Sequence, residues 1–259
     1  MDMATRELRK PVVAVRRAVA IMRYLGSARR PAGVNEVARA VGIVPSTCLH
    51  ILKTLDHDGM VSEDREAKKY QLGPTLLRFA RDMVGSNDFV RNAQTVLDRI
   101  ALAHQVTTAA VWREGPNRFI VVAKAPAPSD FSIHVDIGSR FPVLTSAIGH
   151  CFAAASYQPT ARLKASFEDI NWQNQPAFPA WLEAVAAAGR NGYAIDAGHY
   201  IAGITVVAAP VHEAGGICNR VLVGLGLSEQ LKGEALASLA EDLKGSGKML
   251  SELFSEAIV

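Results

Sequence analysis

Between residues 12 and 25 the apolar positions Val15, Ala18, Val19, Met22 and Leu25 recur at helical spacing, and Arg16, Arg17 and Arg23 fall on other faces. The spacing predicts an amphipathic helix stopped by Gly26-Ser27, then a loop through Arg29-Arg30-Pro31-Ala32-Gly33. A short helix over 35–40 follows, apolar at Val37 and Ala38, with Val41-Gly42-Ile43 as a tight turn in which glycine supplies a positive φ. Pro45 suits the opening of a third helix, 46 to about 57, with Cys48, Leu49, Leu52 and Leu55 apolar. Met60-Val61-Ser62 reads as a strand, 63–67 as a polar turn, and Lys68-Lys69-Tyr70-Gln71-Leu72 as a returning strand ended by Gly73-Pro74. From Thr75 to about Asn87 the apolar residues Leu76, Leu77, Phe79, Ala80, Met83 and Val84 form a band wider than one stripe. A helix with two buried faces is expected there, and one standing between domains suggests a dimer contact. Gly85-Ser86-Asn87-Asp88 reads as a break.

The rest of the chain alternates differently. Residues 89–104 form an amphipathic helix, followed by strand-like runs at 107–112, 119–124 and 131–135, with Glu114-Gly115-Pro116-Asn117 as a hairpin turn. Helical segments are expected near 146–156 and 180–188, late strands at 206–211 and 220–227 around a turn at 213–216, and a last helix over 232–254. Helices flanking hairpin-joined strands predict an α+β domain with an antiparallel sheet.

Helix, glycine-bearing turn, helix is the helix-turn-helix pattern, and its second helix would enter a major groove. The outward stripe there is Ser46, His50 and Lys53, flanked by Thr47 and Thr54, all side chains able to hydrogen-bond bases or phosphates. The hairpin directly after it is a wing, whose Arg65, Lys68 and Lys69 could reach phosphates or a minor groove. Charge sharpens this picture. The chain of 259 residues is only +3, yet residues 1–70 hold 13 Lys+Arg against 8 Asp+Glu, leaving 15 against 17 beyond. A basic end on a mildly acidic body points to a polyanion partner, against the plainer alternative of a solvated basic face.

Composition excludes several classes. With 49% hydrophobic and 20% charged residues the chain has ample material for a core, and no apolar run approaches the length of a membrane span. The charged start, residues 1–10, lacks the apolar stretch of a signal peptide. Cys48, Cys151 and Cys218 lie far apart, against a disulfide scaffold or a CxxC zinc site and in favour of a reducing cytoplasm. His150-Cys151 is a poor nucleophile pair, because neighbours on a helix point about 100° apart. With no phosphate-cradling glycine loop either, no catalytic residue, metal or cofactor is expected.

At this point the residues resemble a known family. The run RRAVAIMRYL, then NEVARAVGIVPSTCLHILKTLDHDGMVSED, then KYQLGPTLLRFA is similar to the N-terminal winged helix-turn-helix of IclR-type transcription regulators. Pro45-Ser46-Thr47 and Tyr70-Gln71-Leu72-Gly73-Pro74 are its most specific parts. The resemblance implies that Ser46, Thr47 and His50 contact DNA, that Arg17 lies near it, and that the helix after the wing pairs two chains. The family often has Arg where this chain has Ile51 or Leu52. Residues 138–149 and the pair of segments 192–196 and 203–211 are similar to the family's effector-pocket signatures, which implies a GAF-like effector-binding domain. The implied pocket residues are Ala147 and Ile148, through backbone N–H groups at a helix start, with Asp196, Ile204, Val206, Val223 and Leu225. For Asp196 a loop cap is an equal alternative. Trp112, Phe119, Phe131 and Ile133 could add apolar walls, or be plain core. Members often carry Cys near Val206 and hydroxyl residues near Val223 and Leu225. Apolar residues in those places favour a larger, more apolar effector, an aromatic or hydrophobic carboxylic acid.

The resulting expectation is a cytoplasmic, homodimeric regulator of double-stranded operator DNA, with pairing of dimers left open. Its parts are a basic tail at 1–11, a winged helix-turn-helix at 12–73, a linker helix at 74–88 and the effector-binding domain at 89–259. The rival reading is a metabolite-binding protein or enzyme in which the helix-turn-helix is only an interaction module.

Overall fold

A computed structural model describes residues 11–86, 88–128, 133, 135–156, 158–213 and 215–256. Residues 1–10 of the expected tail, Phe131, and the side chains of Met83 and Val84 lie outside the described residues. The chain divides into two compact units, Met1–Ser86 and Asn87–Val259.

In the first unit, α1 (Val13–Ala28) runs through Gly26-Ser27 and ends only where Arg29 turns left-handed at φ 52°. Its inward stripe is Ala18, Ile21, Met22 and Leu25, not the expected Val15 and Val19, which are exposed. Both sets have helical spacing; packing against the neighbouring helices and strand selects the one containing Ile21. The expected loop contains a two-residue strand, β1 (Ala32–Gly33). Then come α2 (Val34–Val41) and α3 (Pro45–His57), joined by Gly42 at φ 72°, whose N–H donates to the Arg39 carbonyl at 3.3 Å. Pro45 occupies the first turn of α3, where a missing N–H costs nothing. Cys48, Leu52 and Leu55 face inward from α3, while Leu49 is only half-buried. β2 (Val61–Asp64) and β3 (Lys69–Leu72) form the wing, and β1 joins them as a third antiparallel strand in the order β1-β3-β2. Tyr70 plugs the core between sheet and helices. α4 (Thr75–Ser86) departs from expectation: Leu77 is 74% and Phe79 47% exposed in the single chain, so two faces are not buried within it.

The second unit is a six-stranded antiparallel sheet between two helical layers. Its elements are α5 (Asp88–His104), β4 (Thr107–Glu114), β5 (Arg118–Ala125), β6 (Arg140–Pro142), α6 (Ser146–Ala154), α7 (Thr160–Glu168), α8 (Phe178–Asn191), β7 (Ala194–Ala197), β8 (Ile204–His212), β9 (Cys218–Leu227) and α9 (Gly233–Glu256). Strand order is β6-β5-β4-β9-β8-β7. Alternation along each strand splits the core in two. Ala110, Val207 and Leu222 face α5 and α9, while Ala109, Val111, Val121 and Val223 face α6, α7 and α8. The third strand beside β5 is Arg140–Pro142 rather than the expected 131–135, of which Ile133 and Val135 are described and lie outside any strand. α7 and β7 are short and were not expected. Among the described residues no helix is long and apolar enough to cross a membrane.

Candidate DNA-binding surface and effector cavity

On α3, Ser46, His50 and Lys53 are exposed on one face and Thr47 is half-buried beside them. Among the described residues no hydrogen bond or ion pair engages the side chains of Ser46, His50 or Lys53, so this polar face is free for a partner. The wing is tied to α3 from behind. Asp56 of α3 accepts the Glu63 N–H at 2.9 Å, and Tyr70 donates its hydroxyl to Glu63 at 2.8 Å. Burial and the Glu63 carboxylate push the Tyr70 phenol up to about 12. At the wing tip Asp64 accepts the N–H groups of Glu66 and Ala67, and Lys68 is left-handed at φ 51°. That turn leaves Arg65, Lys68 and Lys69 exposed on one hairpin. Arg17 is half-buried, lining with Arg16 a groove against Val41-Gly42-Ile43, the helix-turn-helix turn. Three structural devices therefore bring the eight expected DNA-binding side chains onto one unit.

The second unit holds a cavity of about 150 Å³ between the sheet and the start of α6. β4, β5, β8 and β9 supply apolar walls: Ala109, Val111, Val121, Val206, Val223 and Leu225. Ile133, Val135 and Phe141 close one side, Tyr200 and Ile201 another, and Thr145, Ser146 and Ile148 form the head. Among the described residues no lysine, arginine or histidine lines it. The head is unusual. Thr145 and Ser146 are both 2% exposed, and the hydroxyls of both lack a hydrogen-bond partner among the described residues. Ser146 sits in the left-handed region at φ 54°, a strained state for a residue with a β-carbon. The N-cap Thr145 makes no side-chain cap to α6, so the N–H groups at its start, at Ser146, Ala147 and Ile148, are not engaged by it. Gly149 is the first to be satisfied within the helix, donating to the Thr145 carbonyl at 2.9 Å.

The structure sorts the expected pocket residues. Ile133, Ile148, Val206, Val223 and Leu225 line the cavity. Ala147 is fully buried and offers only its backbone. Ile204 packs against the same core without reaching the cavity wall. Asp196 is 2% exposed, and its carboxylate is spent as a loop cap, accepting the N–H groups of His199 and Tyr200 and facing His199 Nδ1 at 3.0 Å. Trp112 is a correction: strand parity puts it on the α5–α9 face, against Phe89 and Arg220. Phe119 is buried core, edge-on to Phe152. Sequence reasoning missed Thr145 and Ser146, although two hydroxyl residues just before an apolar helix were a usable signal. Tyr200 and Ile201 come from a loop whose return to the cavity no local pattern shows.

His150 and Cys151 are both buried. Burial drives the imidazole down to about 4 and the Cys151 thiol well up, and the thiol points at the Ala208 carbonyl, 3.4 Å away. The pair is thus arranged for packing and not for thiolate chemistry.

Comparison with known proteins gives the same architecture. A family model described as the C-terminal part of the bacterial transcriptional regulator IclR matches residues 81–252, and one described as the IclR helix-turn-helix domain matches residues 14–65. The chain is 28% identical over 252 residues to the HTH-type transcriptional regulator XynR of Escherichia coli, covering 93% of this chain and 97% of that protein. Its fold is similar to the crystal structure of an IclR-type regulator from Alicyclobacillus acidocaldarius, with TM-score 0.82, 27% identity, and coverage of 93% and 98% of the two chains. It is also similar in fold to an IclR homologue from Microbacterium hydrocarbonoxydans crystallised with 4-hydroxybenzoate (TM-score 0.74, 18% identity, 92% and 98% coverage). A winged helix-turn-helix, a sheet-and-helix unit with a cavity at the head of α6, and family models matched across both units lead to one conclusion: this chain belongs to the IclR family of transcriptional regulators.

Proposed function

We propose that two copies of this chain pair and present their α3 helices to the half-sites of a pseudo-palindromic operator, and that a single-ring or similarly compact apolar monocarboxylic acid sets the DNA affinity. Residues 12–73 read DNA, 74–88 pair the chains, and 89–259 bind the acid. Ser46, Thr47 and His50 face base edges. Lys53, Arg17, Arg65, Lys68 and Lys69 serve phosphates and groove walls. Exposed Leu77 and Phe79 on α4 support pairing, because two-fold operator recognition requires a two-fold protein.

The observation that carries the effector reading is the head of the cavity. Two residues of the head, Thr145 and Ser146, carry buried hydroxyls without a partner among the described residues, and they stand at an uncapped helix start, where a carboxylate would receive hydrogen bonds and the favourable end of the helix dipole. The walls fit the remainder: an apolar cavity of about 150 Å³ is the size known to hold one benzene ring. Among the described residues no cationic side chain lines the wall to partner a second carboxylate, which favours monocarboxylates over dicarboxylates. The structural neighbour crystallised with 4-hydroxybenzoate supports the same ligand class. Ligand acts by linkage, changing DNA affinity by as much as it prefers one conformational state over the other. The test is a titration of the protein against its own upstream DNA across salt, with benzoate, 4-hydroxybenzoate and phthalate added in turn. The expected result is a high specificity ratio altered by the monocarboxylates and not by phthalate. Equal affinity for unrelated DNA, or a response to phthalate alone, would overturn the proposal.

A further inference from the structure

Arg220 lies on β9, on the sheet face opposite the cavity. It stands directly across from Trp112 of β4 in the antiparallel register. Its guanidinium carbon is 4.8 Å from the Trp112 ring centroid, 5.2 Å from that of Phe89 and 5.1 Å from that of Phe254. Phe89 is in the first turn of α5 and Phe254 in the last turn of α9, and the three rings also contact one another edge-on through Phe89. The side chain of Arg220 is 15% exposed; among the described residues its Nε has no hydrogen-bond partner, and it pairs with Glu213 at 3.5 Å. A cation held that deeply on three aromatic faces is an expensive way to fill a core that an aliphatic side chain could fill.

Its position gives it a use. β4 and β9 carry Ala109, Val111, Val223 and Leu225 into the cavity on one face and the Trp112–Arg220 pair on the other. Phe89, gripped by that pair, is the second residue of α5, the helix that follows immediately on residue 87 and so takes over the chain from the DNA-binding unit. We propose that Arg220 is a positioning residue that couples occupancy of the cavity to the first turn of α5. A shift of β4 or β9 on filling moves the guanidinium, and the guanidinium moves Phe89. The inference rests on the reading of the cavity as the effector site; its test needs no effector.

The cavity is filled from within by Val223→Phe, and amide hydrogen exchange of residues 88–92 is followed in the full chain, in the Val223→Phe variant, in Arg220→Met and in the double variant. Filling is expected to change exchange at 88–92 by about two- to threefold or more, the lower range for residues in one contact network, and the change should vanish when Met replaces Arg220. Arg220→Lys, which keeps the charge but not the planar group, should lose most of the coupling too. Circular dichroism and denaturant unfolding establish that each variant is folded, and Ala109→Val replaces Val223→Phe if the larger side chain prevents folding. An equal change with and without Arg220, or no change on filling, would overturn the proposal. An operator titration on the same samples separates the two ideas: coupling without DNA binding sinks the regulator reading and leaves the role of Arg220 standing.

Discussion

The backbone of Gly149 lies so close to Leu144 that a β-carbon on it would stand 2.2 Å from the Leu144 carbonyl oxygen. The obstacle is backbone, which cannot swing aside. This close approach lets the chain fold back onto the first turn of α6 and holds Thr145 and Ser146 at the cavity head. Gly149→Ala should therefore destabilise the second unit by roughly 3 kcal/mol, the upper range for overpacking. For a unit of this size that is a fall in melting temperature of roughly 6–12 °C. Calorimetry checks it, and an unchanged melting temperature would mean that the turn yields.

Ser146 carries strain that a ligand would justify. At φ 54° a serine costs about 1 kcal/mol relative to a residue without a β-carbon. Ser146→Gly should raise the stability of the unliganded protein by up to that amount. It should also weaken a bound monocarboxylate roughly tenfold, because one charge-assisted hydrogen bond is removed. Thr145→Val should weaken it similarly without the gain in stability. Denaturant unfolding and ligand titration would show the two effects moving in opposite directions. If Ser146→Gly strengthened binding, the head group would lie elsewhere.

His150 sets an acid limit on the second unit. Desolvation lowers its folded pKa to about 4, against an ordinary value of 6.5. The group is neutral in both states above 6.5, so its contribution to stability is complete there. As pH falls from 6.5 towards 4 the unfolded chain takes up the proton and the folded chain does not, and stability is lost. The loss is on the order of 3 kcal/mol across that window. His150→Phe removes the titration and keeps an aromatic ring beside Trp181, now 5.7 Å from the imidazole. Denaturant unfolding from pH 7.5 to 4.5 should be flatter for the variant. Parallel curves would assign the acid loss to carboxylates.

The division of labour on the DNA-binding unit predicts two kinds of mutant. Lys68→Ala and Lys69→Ala remove exposed charge from the wing tip. Each should weaken binding to every sequence alike and reduce the salt slope by about 0.9 for each phosphate left without its cation. Ser46→Ala and His50→Ala should leave the slope nearly intact and cost about 1–3 kcal/mol only on the correct site. Titrations at several salt concentrations, on operator and unrelated DNA, separate the two. If both sets behaved identically, the proposed roles would fail.

Local pattern made most of this fold legible, and the exceptions have physical causes. α3 was readable because Pro45 opens it and Cys48, Leu52 and Leu55 share one face. α1 misled because two overlapping stripes have helical spacing, and only tertiary packing chooses Ile21 over Val15 and Val19. β6 and β7 are three and four residues long, too short to show a period of two. For the cavity, strand parity decides which side chains reach it. Val206, Val223 and Leu225 were on the right face, but Trp112 follows Val111 by one residue and so points to the other helical layer. At the cavity head the helix-start N–H groups of Ala147 and Ile148 were implied by the family resemblance, whereas the lack of partners for the Thr145 and Ser146 hydroxyls among the described residues follows from tertiary packing, which no residue spacing reveals.

Two exposed apolar side chains of α4, i and i+2 on the helix and so on different sides of it, lead to the last prediction. Leu77 and Phe79 are 74% and 47% exposed, and apolar side chains of that size carry roughly 1.5–3 kcal/mol each when buried. Replacing them with glutamate removes nothing from the core of the single chain, so its unfolding free energy should change by no more than about 0.5 kcal/mol. In a paired chain the same substitutions bury charges against apolar surface. Leu77→Glu/Phe79→Glu should therefore sediment as a monomer where the parent sediments as a dimer. The monomer keeps an intact α3 and wing, so its affinity for an isolated half-site is unaltered. Its affinity for the full operator should drop by about 10²-fold or more, the advantage of linked half-site binding. Sedimentation velocity and operator titration on one preparation test both parts. A double variant that stays dimeric and binds the full operator normally would move the pairing surface off α4.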